Sequence, residues 1–331
     1  MRVTNLQNSA ETQSDYSKFL DEWNNSVSFV AQQTSGSTGK PKIIRLEKSK
    51  MRASAKMTGN FLHLAAKKNA LLCISPKYIG GKMMIVRALE YNLDLVIGPV
   101  TANPLKELTE KIDFAAMVPL QLQTVLEESP EKLALIDTII VGGAPVSAEL
   151  RAKIPSGKTA IYSTFGMTET VSHIALCPLH EKSETYTAIG EASFSLTPDD
   201  RLIIHAPELG IDALVTNDIV HLNNNHSFHW LGRADFVINS GGVKIHPEKV
   251  EEALRPFIDA DFIVTGLPDK KLGEKLLLIA EKPIDLDALQ TQIKDIPKYH
   301  FPKENRIGKI HYTANNKVDR IATKKHISIA R

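Results

Sequence analysis

Apolar segments typical of β-strands alternate with helical patterns over the first part of the chain. β-Branched and large apolar residues cluster in short runs that predict strands at 26–33, 70–75, 93–98, 136–143 and 160–166. Helical periodicity predicts helices at 48–66, 81–91, 120–129 and 148–154. Strands that alternate with helices are typical of parallel sheets flanked by helices, so we predict an α/β fold.

The pattern changes near residue 200. Short strand-like segments separated by turns follow in RLIIHAP, DALVTNDIVHL and SFHWLGRADFVINSGGVKIHP, which indicates an antiparallel arrangement. A helix is predicted at 247–257, where Pro247 occupies the first helical position, and another at about 285–294. We therefore predict a large domain at 1–234 and a small α+β domain at 235–331, with a hinge near Gly232–Asp235.

Composition narrows the class of protein. The 331 residues are 43% apolar and 24% charged, which suits a soluble globular protein with a sizeable core. A formal charge of +2 argues against a nucleic-acid partner and against a membrane-surface protein. No apolar run is long enough for a membrane span and the N-terminus has no apolar leader, so we expect a cytoplasmic protein. Cys73 and Cys177 lie in apolar surroundings without metal-ligand spacing, which predicts buried, reduced thiols.

Residues 34–42, TSGSTGKPK, combine hydroxyls, glycines and lysines in a pattern suited to binding phosphate. Glycines let backbone N–H groups approach an anion, hydroxyls donate hydrogen bonds and a lysine supplies charge. The loop is not a Walker A motif, because only two residues separate Gly36 from Gly39 and Pro41 follows Lys40. Pro41 disfavours helical geometry at Lys40, so we expect the loop to join two strands. The alternative is an ordinary polar hairpin turn.

Three further blocks follow this loop in order. They are YSTFGMTE at 162–169, HWLGRADFVINSGGVKIHPE at 229–248, and NKVDR at 316–320, where Asn316 stands in place of a glycine. With the loop, these blocks resemble the adenylate-forming superfamily of acyl-CoA synthetases, nonribosomal-peptide adenylation domains and luciferases. The resemblance covers residues 26 to about 325. It implies a large N-terminal domain with mixed and parallel sheets and a small, mobile C-terminal domain.

The resemblance implies a reaction in two steps, with ATP, Mg²⁺ and coenzyme A as cofactors or co-substrates. A carboxylate attacks the α-phosphate of ATP, pyrophosphate leaves, and a thiol then displaces AMP. Catalytic roles fall on Lys40, Thr168, Glu169 and Lys317, with Glu169 also binding the metal. The ATP-binding residues carried over are Thr34, Ser35, Gly36, Ser37, Thr38, Gly39, Lys40, Gly142, Gly143, Ala144, Phe165, Gly166, Met167, Thr168, Asp218 and Arg233.

Individual roles within this set also come from the resemblance. Phe165 is expected to stack on adenine, Asp218 and Arg233 to bind ribose, and Lys317 to bridge the attacking carboxylate and the α-phosphate. Each residue has a structural alternative. Gly-Gly turns commonly end strands, an Asp in a turn is often structural, and Lys317 lies in a run of basic residues. Asn217 precedes Asp218 where the family usually has glycine.

The resemblance assigns the small domain to both steps. Asp235 corresponds to the residue about which that domain rotates. Gly241 and Gly242 are expected to form the turn of a hairpin and, in the family, to let the pantetheine arm of coenzyme A approach. Rotation at Asp235 then exchanges Lys317 for this hairpin at the site.

The acid is indicated by two segments, IGGKMMIVRALEY and FGMTETVSHIAL, which resemble the o-succinylbenzoate–CoA ligases of menaquinone biosynthesis. Lys82, Arg87 and His173 are the expected acid contacts. Alternatively, Arg87 pairs with Glu90 and His173 is a core histidine. Most of the usual N-terminal subdomain is expected to be absent. Other aryl- or acyl-CoA ligases, an enzyme that loads a carrier protein, and a non-catalytic nucleotide-binding protein remain alternatives, and a homo-oligomer stays open.

Overall fold

The computed structural model describes residues 1–33, 43–181, 184–293, 296–313 and 318–329. The strands of its larger part are β1 (Val3–Asn5), β2 (Phe29–Gln33), β3 (Ile43–Glu47), β4 (Asn69–Leu72), β5 (Asp94–Ile97), β6 (Ile112–Met117), β7 (Ile136–Val141), β8 (Ala160–Gly166), β9 (His173–Pro178), β10 (Thr185–Ala188), β11 (Ser193–Leu196), β12 (Arg201–Ala206), β13 (Ile211–Asn224) and β14 (Ser227–Arg233). Those that follow are β15 (Ile238–Ser240), β16 (Val243–Ile245), β17 (Phe262–Asp269), β18 (Gly273–Ala280) and β19 (Glu304–Ile307). The helices are α1 (Ala10–Asn24), α2 (Lys48–Phe61), α3 (Ile79–Tyr91), α4 (Pro119–Glu128), α5 (Ala148–Lys153), α6 (Pro247–Leu254), α7 (Leu286–Gln292) and α8 (Arg320–Ile329).

The large sheet runs in the order β1-β5-β4-β6-β7-β8-β9-β10-β14-β13-β12-β11. Its strands are parallel from β1 to β8, and every pairing from β8–β9 onward is antiparallel. The helices α3, α4 and α5 each connect two parallel strands, as such connections require. The α/β prediction is confirmed, although the antiparallel part begins at His173 and not near residue 200.

Two apolar clusters cover the faces of this sheet. One includes side chains of α2, α3 and the antiparallel strands; the other lies with α4 and α5. Cys73 and Cys177 are buried, as predicted, and burial raises the pKa of the Cys73 thiol to about 12. Among the described residues, no helix is both long and apolar enough to span a membrane.

The strands β2 and β3 pair with each other outside the large sheet. They are antiparallel, with Gln33 opposite Ile43, so residues 34–42 connect two paired strands. This confirms the expectation that the loop joins strands. The helix α1, which the sequence analysis did not predict, places Tyr16, Phe19 and Trp23 in the core at helical spacing.

A second sheet begins after β14. Its order is β16-β15-β18-β17, with β19 parallel to β18, and α6 packs against β17. It has an apolar cluster of its own that includes Val250, Leu254 and Phe262. The predicted division at 234/235 falls between the last strand of the large sheet and the first strand of this one. The mobility of the second unit stays a prediction.

Candidate active site

The predicted phosphate loop and Lys317 lie outside the described residues, so the predictions for Thr34–Lys40 and Lys317 stay predictions. The elements that flank them are described. Gln33 and Ile43 pair at the end of β2 and β3 that residues 34–42 connect. Tyr312 forms an antiparallel bridge with Val318, on either side of Lys317.

The small-residue turn Gly142–Ala144 and the block 162–169 lie side by side. They follow or include β7 and β8, which are adjacent parallel strands, so both lie toward the carboxyl edge of the parallel sheet. A Cβ atom on Gly142 would lie 2.3 Å from the Thr164 hydroxyl, and Gly143 has a φ of +89°. Only glycine fits these two positions without displacement or strain. The sheet thus brings together two predicted parts of the ATP site.

A tight loop carries Thr168 and Glu169 from β8 to β9. Fully buried Thr170 accepts a hydrogen bond from the Met167 N–H at 3.0 Å, and its hydroxyl donates to the Ser172 carbonyl at 2.7 Å. Val171 has a φ of +65°, a left-handed conformation that is strained for a β-branched residue. Glu169 is exposed and Thr168 half-buried. The loop is therefore rigidly held while presenting the carboxylate expected to bind the metal. Thr170 was not predicted.

Phe165 belongs to an aromatic cluster under the predicted adenine site. Its ring lies 5.0 Å from Phe228 and 5.8 Å from Tyr186, in edge-to-face geometry. The Tyr186 hydroxyl is 3.0 Å from the Ser163 hydroxyl, which ties the cluster to β8. Phe165 is only half-buried, so part of its ring remains accessible.

Asp218 is held by β13 and β14. It stands opposite Arg233 in the register, and it is only 8% exposed. The Trp230 indole N–H donates to its Oδ1 at 2.9 Å. Burial raises the pKa of Asp218, against the opposing effects of the Trp230 bond and the Arg233 charge. The role of Trp230 was missed, because no local sequence signal links it to Asp218.

Arg233 and Asp235, the predicted ribose and hinge residues, contact each other. Arg233 Nη2 lies 2.9 Å from Asp235 Oδ2. Asn217, the residue that replaces the family's glycine, places its amide Nδ2 at 3.2 Å and 3.3 Å from the two Asp235 oxygens. We call Asn217, Arg233 and Asp235 the hinge cluster. Asn217 lies within β13, Arg233 ends β14, the last strand of the large sheet along the chain, and Asp235 precedes the first strand of the second sheet.

The Gly241–Gly242 turn is confirmed as a hairpin turn. It joins antiparallel β15 and β16, with Ser240 opposite Val243, and both glycines have positive φ. A Cβ atom on Gly242 would meet nothing within 4 Å among the described residues. The turn is therefore sterically open to a ligand on that side.

The three predicted acid contacts do not form one group. Arg87 on α3 and His173 on β9 are both buried and are linked through Ser172. Lys82, earlier on α3, pairs instead with Glu22 at 3.5 Å and donates to the Ala31 carbonyl at 3.0 Å. Lys82 thus contacts α1 and β2 and not the groups around Arg87. Two residues five positions apart on a helix lie on different faces.

Glu90 does not pair with Arg87. Its carboxylate lies 3.1 Å from Arg52 and 3.2 Å from Lys56, both on α2. The structural alternative for Arg87, an ion pair within α3, is therefore wrong. His173 is a core histidine in the sense that it is buried. Ser172 links its ring to the Arg87 guanidinium, whose charge also acts on the ring.

Comparison with known proteins establishes the family. A model of the AMP-binding enzyme family matches residues 5–208 of the chain. The chain belongs to the AMP-binding enzyme family. A solved structure of an acyl-CoA synthetase (AMP-forming)/AMP-acid ligase II-like protein from Dyadobacter fermentans is 36% identical with a TM-score of 0.64, and covers 96% of this chain and 95% of that one. The chain is thus an AMP-forming ligase of the acyl-CoA synthetase type.

The relatives with curated names are more distant and longer. The 2-succinylbenzoate–CoA ligase of Listeria monocytogenes strain EGD-e is 25% identical over 96% of this chain and 74% of its own length. The structure of Bacillus subtilis o-succinylbenzoate coenzyme A synthetase, in complex with ATP and magnesium ion, is 22% identical, with a TM-score of 0.75 over 89% of this chain and 69% of that one. The latter likeness shows the shared fold.

Proposed function

We propose that this ligase activates an aromatic acid with a second carboxylate, o-succinylbenzoate, through an acyl-adenylate, and transfers the acyl group to coenzyme A in menaquinone biosynthesis. The observation that carries the proposal is the buried Arg87, which has no carboxylate partner among the described residues. Arg87 is 1% exposed, and its Nε–H has no hydrogen-bond acceptor there. The names of the curated relatives support the same acid.

An isolated guanidinium in this position is costly to the folded protein. Desolvation lowers the pKa of Arg87 to about 9, and no carboxylate of the described part of the chain opposes it. Buried charges are normally paired, because an unpaired one costs several kcal/mol. A substrate carboxylate would supply the missing anion. An acid with only its reacting carboxylate would leave Arg87 without that partner, so the geometry favours a dicarboxylate.

The residues near β7 and β8 fit ATP and Mg²⁺. Magnesium is commonly bound by one or two carboxylates together with substrate phosphates, and Glu169 offers an exposed carboxylate on a rigid loop. Phe165 and Gly142–Ala144 would contact adenine, while Asp218 and Arg233 would bind ribose.

The reaction must bring two anions together, so positive charge near the α-phosphate is needed. We assign that charge to Lys40 of the phosphate loop and Lys317 of the small domain, with Thr168 contacting the α-phosphate. Residues 1–234 would then bind ATP and the acid, and 235–331 would rotate about Asp235. In the second step, the Gly241–Gly242 turn would admit the pantetheine thiol, which displaces AMP from the acyl group.

The identity of the acid is tested with a panel of acids on wild type, Arg87→Met and Arg87→Lys. AMP release measures turnover of each acid. Truncating one partner of a buried charged pair typically costs about 2–5 kcal/mol. We therefore expect Arg87→Met to raise the KM for o-succinylbenzoate about 10²-fold, with the KM for ATP changed less than about twofold. Arg87→Lys keeps the charge but loses the planar geometry, so its effect should be intermediate.

Arg52→Met is the matched control, because Arg52 is an exposed arginine on the neighbouring helix α2. It should leave both KM values unchanged. Far better turnover of benzoates or fatty acids than of o-succinylbenzoate would contradict the assignment of the acid. An equal effect of Arg87→Met on monocarboxylates and dicarboxylates would contradict the role of Arg87. Replacing coenzyme A with a holo carrier protein tests which thiol is the acceptor.

A further inference from the structure

Four side chains form a connected line beside the predicted acid site. Thr58 on α2, Arg87 on α3 and His173 on β9 are buried, and Ser172, next to His173, is half-buried. Arg87 Nη2 donates to Ser172 Oγ at 3.0 Å. Ser172 Oγ lies 3.4 Å from His173 Nδ1, and His173 Nε2 lies 3.0 Å from Thr58 Oγ1. The Thr58 hydroxyl in turn donates to the Ser54 carbonyl at 3.1 Å. We call Thr58, Arg87, Ser172 and His173 the acid cluster.

The proton count fixes the direction of these hydrogen bonds. The Ser54 carbonyl can only accept, so it uses the single proton of the Thr58 hydroxyl. Thr58 is then an acceptor for His173, and the imidazole must carry its proton on Nε2. His173 Nδ1 is therefore bare and accepts from Ser172, whose oxygen in turn accepts from Arg87. In every bond of the line, the donor is the group nearer Arg87 and the acceptor is the group nearer the Ser54 carbonyl.

The opposite tautomer of His173 satisfies fewer groups. With the proton on Nδ1, Thr58 would have to donate to Nε2, and its bond to the Ser54 carbonyl would be lost. The N–H would also point toward the side on which the Arg87 guanidinium lies. Burial, together with the charge of Arg87, holds the pKa of His173 well below its usual range, so the ring is neutral. A neutral ring with its proton on Nε2 is the form that satisfies all four bonds.

We propose that Thr58 and Ser172 are positioning residues that orient Arg87 for the acid through a neutral His173. The inference rests on the proposed role of Arg87 in acid binding. Ser172 occupies one N–H of the guanidinium and leaves the Nε–H without an acceptor. The four hydrogen bonds fix the Ser172, His173 and Thr58 side chains relative to Arg87, while the Arg87 Nε–H is left for the acid. Loss of the Thr58 hydroxyl would leave the His173 Nε2–H without a partner.

The first test is read on the wild-type protein, and a variant is needed only to assign the signal. Nitrogen-15 NMR of uniformly labelled wild-type protein distinguishes the two neutral tautomers of histidine, and a His173→Gln sample identifies the signal. We expect the Nε2–H form in the absence of any substrate. A wild-type ring in the Nδ1–H form would overturn the direction of the line and with it the proposal.

The second test uses Thr58→Val, which keeps the side-chain shape and removes the hydroxyl. Removing the hydroxyl leaves the buried His173 Nε2–H without an acceptor, which is unfavourable in the folded protein. We expect the KM for o-succinylbenzoate to rise about tenfold, the KM for ATP to change less than about twofold, and the His173 tautomer to shift. Thr58→Ser restores the hydroxyl and should restore the KM for the acid.

Thr124→Val is the matched control. Thr124 on α4 donates to the carbonyl four residues earlier, as Thr58 does, but it has no histidine contact among the described residues. It should change neither KM. Where Thr58→Val does not fold, Ser172→Ala tests the same line from its other end, with the same expected rise in the acid KM.

The outcomes separate this inference from the proposed function. An effect of Arg87→Met on the acid KM with none from Thr58→Val or Ser172→Ala overturns the positioning roles and leaves the function standing. An equal rise in the KM values for acid and ATP would indicate a general structural role and also overturn them. Where the panel selects another acid, that acid replaces o-succinylbenzoate in the KM test, and the tautomer measurement still decides the direction of the line.

Discussion

The acid cluster and the hinge cluster are built from similar groups in different surroundings. Each contains an arginine that donates to a polar side chain. The acid cluster joins residues far apart in the chain, whereas the hinge cluster lies within residues 217–235. In the acid cluster, Thr58 is fully buried and Arg87 is 1% exposed. In the hinge cluster, the side chains of Arg233 and Asp235 are 30% and 38% exposed.

This difference in exposure determines how firmly each cluster is held. A buried hydrogen bond cannot be exchanged for one with water, so breaking it leaves an unsatisfied group. An exposed ion pair contributes only about 0–1 kcal/mol, because water replaces either partner readily. The acid cluster is therefore suited to holding one geometry, and the hinge cluster to being broken and remade, as the proposed rotation of the small domain would require.

The largest effect is expected from Gly166→Ala, which tests the rigidity of the acid cluster through its backbone. A Cβ atom there would lie 2.3 Å from the Ser172 carbonyl oxygen and 2.5 Å from His173 Cα. Both neighbours are backbone atoms, so Ser172 and His173 must move away. A displacement of about 1 Å at a binding site can cost 10²-fold in rate. We expect kcat/KM for the acid to fall by about that factor.

The same substitution should lower the free energy of unfolding by about 1–3 kcal/mol, as overpacking usually does. Urea denaturation measures the free energy of unfolding, and steady-state kinetics measures kcat/KM for the acid. Gly157→Ala is the control, since a Cβ atom there meets only the Pro155 carbonyl, at 3.9 Å. Normal acid kinetics in Gly166→Ala would show that the cluster tolerates a backbone shift, which contradicts the rigidity argued here.

Trp230→Phe tests the Asp218 site, whose exposure is intermediate between those of the acid cluster and the hinge cluster. It removes the indole donor from Asp218 and keeps an aromatic ring in β14. A hydrogen bond to a charged group contributes about 1.5–3 kcal/mol. We expect the KM for ATP to rise about tenfold with little change in the KM for the acid.

The pH dependence of the KM for ATP provides a second test, whose direction follows from the pKa of Asp218. Burial already raises the pKa of Asp218, and loss of the Trp230 bond removes an effect that lowers it. In the proposed ribose-binding role, only the ionised carboxylate would accept from both hydroxyls, so the KM for ATP should rise as the pH falls through that pKa. In Trp230→Phe the rise should begin at a higher pH than in wild type. Trp23→Phe, in α1, is the control, and identical pH profiles in Trp230→Phe and wild type would contradict the bond's role.

The features that local sequence patterns govern were predicted well. Parallel strands read as short apolar runs because both of their faces are buried, so β4, β5, β7 and β8 were found to within a few residues. The Gly241–Gly242 turn was predicted because positive φ at two consecutive positions strongly favours glycine. Glu169 and Asp218 were placed by motif resemblance, and the structure brings their elements together within one sheet.

The features that depend on distant contacts were not predicted. Thr58 and His173 are 115 residues apart, and nothing near either residue signals their hydrogen bond. Lys82 was grouped with Arg87 because both lie on or beside the helix that lines the acyl pocket in the family the chain resembles, although the helix turns Lys82 toward Glu22. The strand β6 was missed between a predicted strand and a predicted helix, and its position became clear only from its pairing with β4 and β7.

The smallest effect is expected at the hinge cluster, from Asn217→Asp. This change keeps the side-chain shape and replaces the amide donor with a carboxylate facing Asp235. Because the groups are exposed, the free energy of unfolding should change by less than about 0.5 kcal/mol. The effect should appear instead in the balance between the two steps, since like charges at the hinge weaken the contacts that hold this orientation.

We expect the ratio of the single-turnover rates for adenylation and thiolation to change about two- to fivefold, which corresponds to an exposed interaction of up to about 1 kcal/mol. High salt should reduce the change, because screening acts on exposed charges. Asn225→Asp introduces the same charge in the exposed turn between β13 and β14 and should leave the ratio unaltered. An equal shift in both variants would mean that net charge, and not contact with Asp235, sets the ratio, which would contradict the proposed role of the hinge cluster in holding the small domain.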